Sequence, residues 1–274
     1  MNRATGAGNG AEIRSVVIIS AGVSEPSSSA LLADRLAGKT VELLRERGVQ
    51  ARVARIELRA LALDIAKSNV AGFVVDGLRP AVEQLAAADA VIAATPVYKA
   101  GISGLFKSFI DVLADDLFIA KPVAVTATAG SARHALIPDE QLRPLFAYLR
   151  ALVIPTALFA APEDWSAPAL GGRIERAAIE LAALVASGVG GTIAAETWSH
   201  HDHTFGSAAR PRIGDASAAQ DVDGAGVDEA GEVAGGVGVI DFDSELMRLA
   251  TGGNARGGGD RREGSGESDS SGLG

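Results

Sequence analysis

The sequence predicts a parallel, doubly wound α/β sheet followed by an acidic, glycine-rich tail, and three observations carry that prediction. Apolar runs with no polar face alternate with stretches of helical period, turns rich in Gly, Ser and Pro follow the runs, and charge is divided unevenly along the chain. A run without a polar face suits a strand covered by helices on both sides, the usual condition of a parallel sheet. Five strand-then-helix units in succession each need a right-handed crossover, which gives a five-stranded sheet between two helical layers.

Residues 14–20, Arg-Ser-Val-Val-Ile-Ile-Ser, predict a central strand. A turn with Gly22, Pro26 and four serines leads into residues 30–47, where Leu32, Leu36, Thr40, Leu43 and Leu44 share a helical face before Gly48 ends the helix. Residues 49–58 alternate apolar and polar positions, as a strand nearer the sheet edge does. A helix over 77–88 precedes the buried run 90–95, which Pro96 is expected to stop. Ser103 stands at the N-cap of a helix to Leu113, whose Phe106, Phe109 and Leu113 form a stripe suited equally to the core or to a subunit contact. A third buried run at 122–128, a loop at 129–138, a helix at 139–150, a strand at 154–160 and a helix at 174–187 complete the order.

Charge separates this domain, residues 14–188, from the C-terminal segment. Residues 1–188 hold 19 Lys and Arg against 19 Asp and Glu, whereas residues 189–274 hold 6 against 15, which accounts for the whole net charge of −9. The tail also carries 19 of the 33 glycines, and buries too little apolar surface to offset its ordering entropy. Residues 189–274 are therefore expected to be largely disordered, as are residues 1–13. Inside the tail, 237–250 stands apart: Phe242, Leu246 and Leu249 have helical spacing, which allows a short helix over 241–250. The cluster His200, His201, Asp202 and His203 offers metal ligands, but adjacent ligands in a flexible segment lack preorganisation, and no metal is expected. With no cysteine, disulfides and thiolate zinc are excluded. Neither segment has the basic surplus that phosphate-backbone binding needs, no stretch approaches about 18 unbroken apolar residues, and no leader-like apolar segment opens the chain. No nucleic acid, no membrane and a cytoplasmic location are the expectations.

In an open α/β sheet, ligands bind beyond the carboxyl ends of the strands where the strand order reverses. Three turns occupy that position. The first runs from Ser20 to Ser29 and gathers the hydroxyls of Ser27, Ser28 and Ser29 at a helix start, which suits a phosphate. It contains neither the dinucleotide glycine fingerprint nor a Walker loop. The second, Thr95-Pro96-Val97-Tyr98-Lys99-Ala100-Gly101, offers a stiffened chain and an aromatic surface. The third, Thr128-Ala129-Gly130-Ser131-Ala132-Arg133-His134, pairs small residues with two donors. Together they suit a phosphorylated, planar ligand with a polar rim, the shape of flavin mononucleotide.

Pro26-Ser27-Ser28-Ser29, the segment Thr95-Pro96-Val97-Tyr98-Lys99-Ala100 with Ser103-Gly104 and Leu105-Phe106-Lys107, and Gly130-Ser131 with His134 and Leu142-Arg143-Pro144 resemble the NADPH-dependent FMN reductases of flavodoxin-like fold. The resemblance spans about residues 14–187 and is nearest to reductases partnered with luciferase-like monooxygenases. It implies a flavodoxin-like three-layer sandwich, FMN and NADPH or NADH as cofactors, and hydride transfer from the nicotinamide to the flavin. It implies a flavin-dependent monooxygenase as partner and a dimer or tetramer as assembly. Family members often carry arginine in the phosphate turn where Ser28 stands here, so phosphate affinity is expected to rest on hydroxyls and backbone. Hydride transfer needs stacked rings rather than a side-chain acid or base, and no catalytic residue is nominated. Negative charge developing on the reduced ring is expected to be met by the 128–134 turn. Two alternatives stay open: an FMN-retaining quinone, azo or chromate reductase, and a flavodoxin-type electron carrier.

Overall fold

The computed structural model of the chain describes residues 13–198 and 237–239. Strand β1 (Arg14–Ser20) lies at the centre, flanked in parallel by β2 (Ala51–Glu57) and β3 (Ala90–Tyr98). Beyond β3 lies β5 (Pro122–Thr128), and beyond β5 the fifth position is shared by β6 (Leu152–Val153) and β7 (Leu158–Ala160). In order of these positions the parallel sheet reads 2-1-3-4-5, the flavodoxin-like arrangement.

Alternate residues of β1 show how one strand builds two cores. Val17 and Ile19 face a layer containing α3 (Arg79–Ala86), α4 (Gly104–Asp111) and α5 (Arg143–Tyr148). Val16 and Ile18 face α1 (Ser28–Glu46) and α6 (Pro168–Ser187). The first core holds the aromatic volume: Phe106 and Phe118 meet Phe146 edge-on, at 6.4 and 5.2 Å between ring centres. The second uses alanine, with Ala33 and Ala37 of α1 and Ala178 and Ala182 of α6 buried where these two helices pack. Phe106, Phe109 and Leu113 belong to the molecule's own core, so that stripe is not a subunit contact.

Among the described residues eight strands stand where five are expected, for three separate reasons. The fifth strand is broken in two: Arg143 donates to the carbonyls of Ile154 and Pro155, both at 2.8 Å, while Glu180 accepts from the Thr156 N–H at 2.7 Å. These side chains take backbone groups that a continuous strand would pair. The second addition is β4 (Gly101–Ile102), which folds back antiparallel on β3. Pro96 does not stop β3. At that point the β1 side of the strand has run out, since Ser20 pairs with Ala94 at its last register position, and the missing N–H costs no ladder bond. The third is β8 (Val237–Val239), antiparallel on the outer edge of β2, at the start of the segment 237–250 whose spacing suits a helix.

Helix α2 (Ala62–Ala71) is an addition to the expected elements; it buries only Ile65 and Ser68, while Leu63 and Val70 are exposed. Helix α6 starts six residues earlier than expected, with Pro168 at its first position. Beyond Gly188, which has φ +65°, the chain continues as α7 (Val189–Thr197) instead of entering the tail directly. Residues 1–12, the His200–His203 cluster and the segment 241–250 lie outside the described residues. Among the described residues no single helix is long and apolar enough to cross a membrane.

Candidate active site

The strand order reverses between β1 and β3, and a cleft of about 450 Å³ opens at the carboxyl ends of β1, β3, β5 and β7. Its volume lies in the range of small-molecule sites, roughly 300–1,000 Å³.

The turn after β1 forms one end. Ser27 is the N-cap of α1, its Oγ accepting from the Ala30 N–H at 3.3 Å and lying 3.1 Å from Ser29 Oγ. Ser28, between them, places its Oγ 3.1 Å from Thr128 Oγ1 and so ties this turn to the end of β5. The Ser28 and Ser29 N–H groups at the start of α1 have no helical carbonyl to pair with, an arrangement that suits an anion. Gly22 closes the cradle from below: a Cβ there would collide with Ser27 Oγ. Arg59, after β2, holds the turn in place through the Val23 carbonyl at 3.4 Å and Glu25 at 3.0 Å.

The β3–β4 hairpin forms the opposite wall. Pro96, Val97 and Tyr98 line the cleft, with Tyr98 47% exposed. Between Tyr98 and Gly101 the two loop residues, Lys99 and Ala100, have φ of +51° and +62°, as a type I′ turn requires. Thr95 is fully buried and accepts from the Ser103 N–H at 3.0 Å, so it shapes the hairpin from behind. Ser103 holds the N-cap position of α4 without a side-chain cap bond.

Thr128, Ala129 and Gly130 form the floor, and the Ala129 N–H donates to the Ala160 carbonyl at 3.2 Å. Ser131 starts a 3₁₀ turn over Ala132–His134 that carries Ser131, Arg133 and His134 past the cleft lining.

Of the fourteen residues singled out in the sequence, Ser27, Ser28, Ser29, Pro96, Val97, Tyr98, Thr128, Ala129 and Gly130 line one cleft. Ser20, Thr95, Lys99, Ser131 and His134 do not. Ser20 pairs with both β2 and β3, which places it inside the sheet; it is fully buried, and its Oγ has no hydrogen-bond partner among the described residues. Sequence reasoning misses Gly22, Ser24, Ala160, Pro162 and Trp165 as lining residues. Trp165 lies on the 3₁₀ turn Pro162–Ser166 after β7, with the guanidinium of Arg35 stacked 5.2 Å from its ring centre. Burial lowers the pKa of that guanidinium. The rule that ligands meet the carboxyl ends of strands applies to the fifth strand as well, and is the signal that points to this tryptophan.

A cradle of hydroxyls and N–H donors at one end, a flat apolar wall at the other and a glycine-bearing floor fit FMN, and the sequence pattern of the NADPH-dependent FMN reductases matches residues 14–166, from β1 through the Trp165 turn. The chain belongs to the NADPH-dependent FMN reductase family. It is 33% identical over 168 residues to the NADH-dependent FMN reductase SfnE of Pseudomonas putida, covering 60% of this chain and 88% of that one. It is 32% identical over 168 residues to an FMN reductase (NADPH) of Pseudomonas aeruginosa, with 61% and 88% covered. The X-ray structure of an oxidoreductase from Corynebacterium diphtheriae, 41% identical, superposes with a TM-score of 0.62 over 64% of this chain and 98% of that chain. As a member of this family the protein is an oxidoreductase that uses FMN and NAD(P)H. Ser27, Ser28, Ser29 and the first N–H groups of α1 are the groups that would hold the phosphate, and Pro96, Val97 and Tyr98 the surface for the ring.

Proposed function

We propose that this FMN reductase takes FMN as an exchangeable substrate and passes reduced FMN to a flavin-dependent monooxygenase of the luciferase-like class. The observation that carries the reading is the charge of the phosphate turn. Ser28 stands in the middle of Pro26-Ser27-Ser28-Ser29, and the guanidinium that reaches the turn, Arg59, is paired with Glu25. A phosphate dianion held by neutral hydroxyls and backbone N–H groups is held less tightly than one facing an arginine fork. The residues that bind the phosphate thus also allow its release.

When bound, FMN supplies the hydride acceptor and carries the electron pair away. The chain's part is orientation: Ser27 and Ser29 fix the phosphate end, Gly22 keeps that end open, and the β3–β4 hairpin presents Tyr98 at the mouth. Thr128, Ala129 and Gly130 provide a floor on which backbone groups can approach a ring closely.

The test is NADH and NADPH oxidation by purified protein at increasing FMN, both nucleotides being assayed because the two Pseudomonas relatives are named for different ones. Saturable dependence on added FMN, with protein that elutes free of flavin, is the expected result. Protein that stays yellow through gel filtration and turns over at a rate indifferent to added FMN overturns the exchange reading.

A further inference from the structure

We infer that Gln141 is a positioning residue for the flavin site: it clamps the strained turn of the β3–β4 hairpin and thereby holds Tyr98 at the mouth of the cleft. This rests on the flavin reading of the cleft.

The turn needs a clamp. Lys99 and Ala100 are consecutive L-residues at positive φ, in positions that hairpins usually give to Asn and Gly. A Cβ makes left-handed backbone costly at each of these residues, so the hairpin would relax if nothing opposed it. Gln141 does so with both ends of its amide. Its Oε1 accepts from the Ile102 N–H at 3.0 Å and its Nε2 donates to the Ala100 carbonyl at 3.3 Å, so one side chain grips the backbone on both sides of Gly101.

Gln141 comes from a different part of the fold. It sits in the π-helical turn Pro138–Leu142 ahead of α5, about forty positions along the chain from the peptide groups it holds. Thr95 Oγ1 accepts from the Ser103 N–H at 3.0 Å and secures the far side of β4. The hairpin is therefore pinned behind by Thr95 and at its tip by Gln141. Tyr98, which lines the cleft, immediately precedes the strained pair. Loss of the tip clamp lets Tyr98 drift without touching any group that contacts the phosphate.

The experiment compares the full-length wild type with Gln141→Ala, Gln141→Glu and the double variant Gln141→Ala/Ala100→Gly. FMN affinity is read by flavin fluorescence quenching, and KM and kcat by NAD(P)H oxidation. Gln141→Ala should weaken FMN binding and raise its KM on the order of tenfold, as expected for two lost hydrogen bonds, with kcat at saturating FMN near the wild-type value. Glycine accepts positive φ without strain, so adding Ala100→Gly should recover most of the affinity. Gln141→Glu keeps the acceptor for Ile102 but cannot donate to Ala100, and should fall between. Wild-type affinity in Gln141→Ala overturns the clamp, and so does a deficit that Ala100→Gly leaves untouched, because that deficit would come from the 138–142 turn itself. If Gln141→Ala does not fold, the double variant decides: folded with near wild-type affinity supports the clamp, folded with weak affinity overturns it. Failure of the wild type to quench FMN at all removes the flavin reading, a result distinct from any difference among variants.

Discussion

Gly22 has no side chain because the serine turn leaves it no room. A Cβ at this position meets Ser27 Oγ and comes within 2.9 Å of Ser29 Oγ, so Gly22→Ala must push two of the three serines that form the cradle. Because the strain falls on a surface turn and not on the sheet, the expected outcome is a folded protein whose FMN affinity drops by at least about tenfold, the equivalent of roughly 1.4 kcal/mol. Fluorescence titration alongside circular dichroism checks both halves. At Asp34 the governing effect is electrostatic. It is buried on α1 and paired with Arg55, which also reaches Glu57 at 3.1 Å. Burial raises its pKa above the ordinary 3.8 more than the Arg55 charge and hydrogen bond lower it. The folded state therefore holds this proton at a pH where the unfolded chain has released it. Asp34 favours folding below pH 3.8, and that contribution is lost as the pH rises through the elevated folded value. Asp34→Asn should remove this component, so that urea midpoints measured upward from about pH 4 fall less steeply in the variant than in the wild type. An identical slope would show that burial does not govern this carboxyl.

Helix α3 ends in the interior, and a lysine solves the problem that this creates. Lys121, 4% exposed, donates from Nζ to the carbonyls of Leu85, Ala86 and Ala88 at 2.7, 2.9 and 2.9 Å. The last carbonyls of a helix lack intrahelical partners and carry partial negative charge, so a cation there is favoured twice over. Lys121→Met fills similar volume but removes the ammonium that these three carbonyls share; a loss of about 2–4 kcal/mol is expected, read as a lower urea midpoint with an unchanged m-value. Such tertiary capping also shows why some elements can be read from the sequence and others cannot. The runs of β1, β3 and β5 are legible because burial on both faces writes an unbroken apolar code. Helix α2 is not, since it rests on the domain through Ile65 and Ser68 while exposing Leu63 and Val70, which erases the period. The break between β6 and β7 depends on Arg143 and Glu180, side chains remote in sequence that intercept backbone groups. In the site, the serine turn and the Thr-Pro-Val-Tyr turn announce themselves by local chemistry. Trp165 reaches the cleft only because the fifth strand is where it is, and Ser20 is kept from it by complete burial, which nothing in its local sequence announces.

Among the described residues the cleft lining runs from Gly22 to Trp165, so α7 and β8 are expected to serve the integrity of the molecule and not its chemistry. Two truncations separate these contributions. Ending the chain after Gly188 removes α7, whose Gly190 packs so closely over the Ala120 carbonyl and Pro122 that even a Cβ would clash, and removes Trp198, over which Arg150 stacks at 5.4 Å. Those contacts close the sheet near the start of β5, and their loss should cost about 1–3 kcal/mol. Ending it after Trp198 keeps them. That chain loses β8, leaving the outer edge of β2 without the antiparallel partner that pairs with Ala54, Arg55 and Ile56. It also holds 19 Lys and Arg against 20 Asp and Glu, where the full chain has 25 against 34. An open edge strand on a protein near zero net charge is a template for association. The chain ending at Trp198 should therefore reduce FMN at the wild-type rate yet scatter more light at high concentration and low salt, while the chain ending at Gly188 unfolds at lower urea. Equal colloidal behaviour of the full and Trp198-terminated chains would mean that the acidic tail and β8 do not guard the β2 edge.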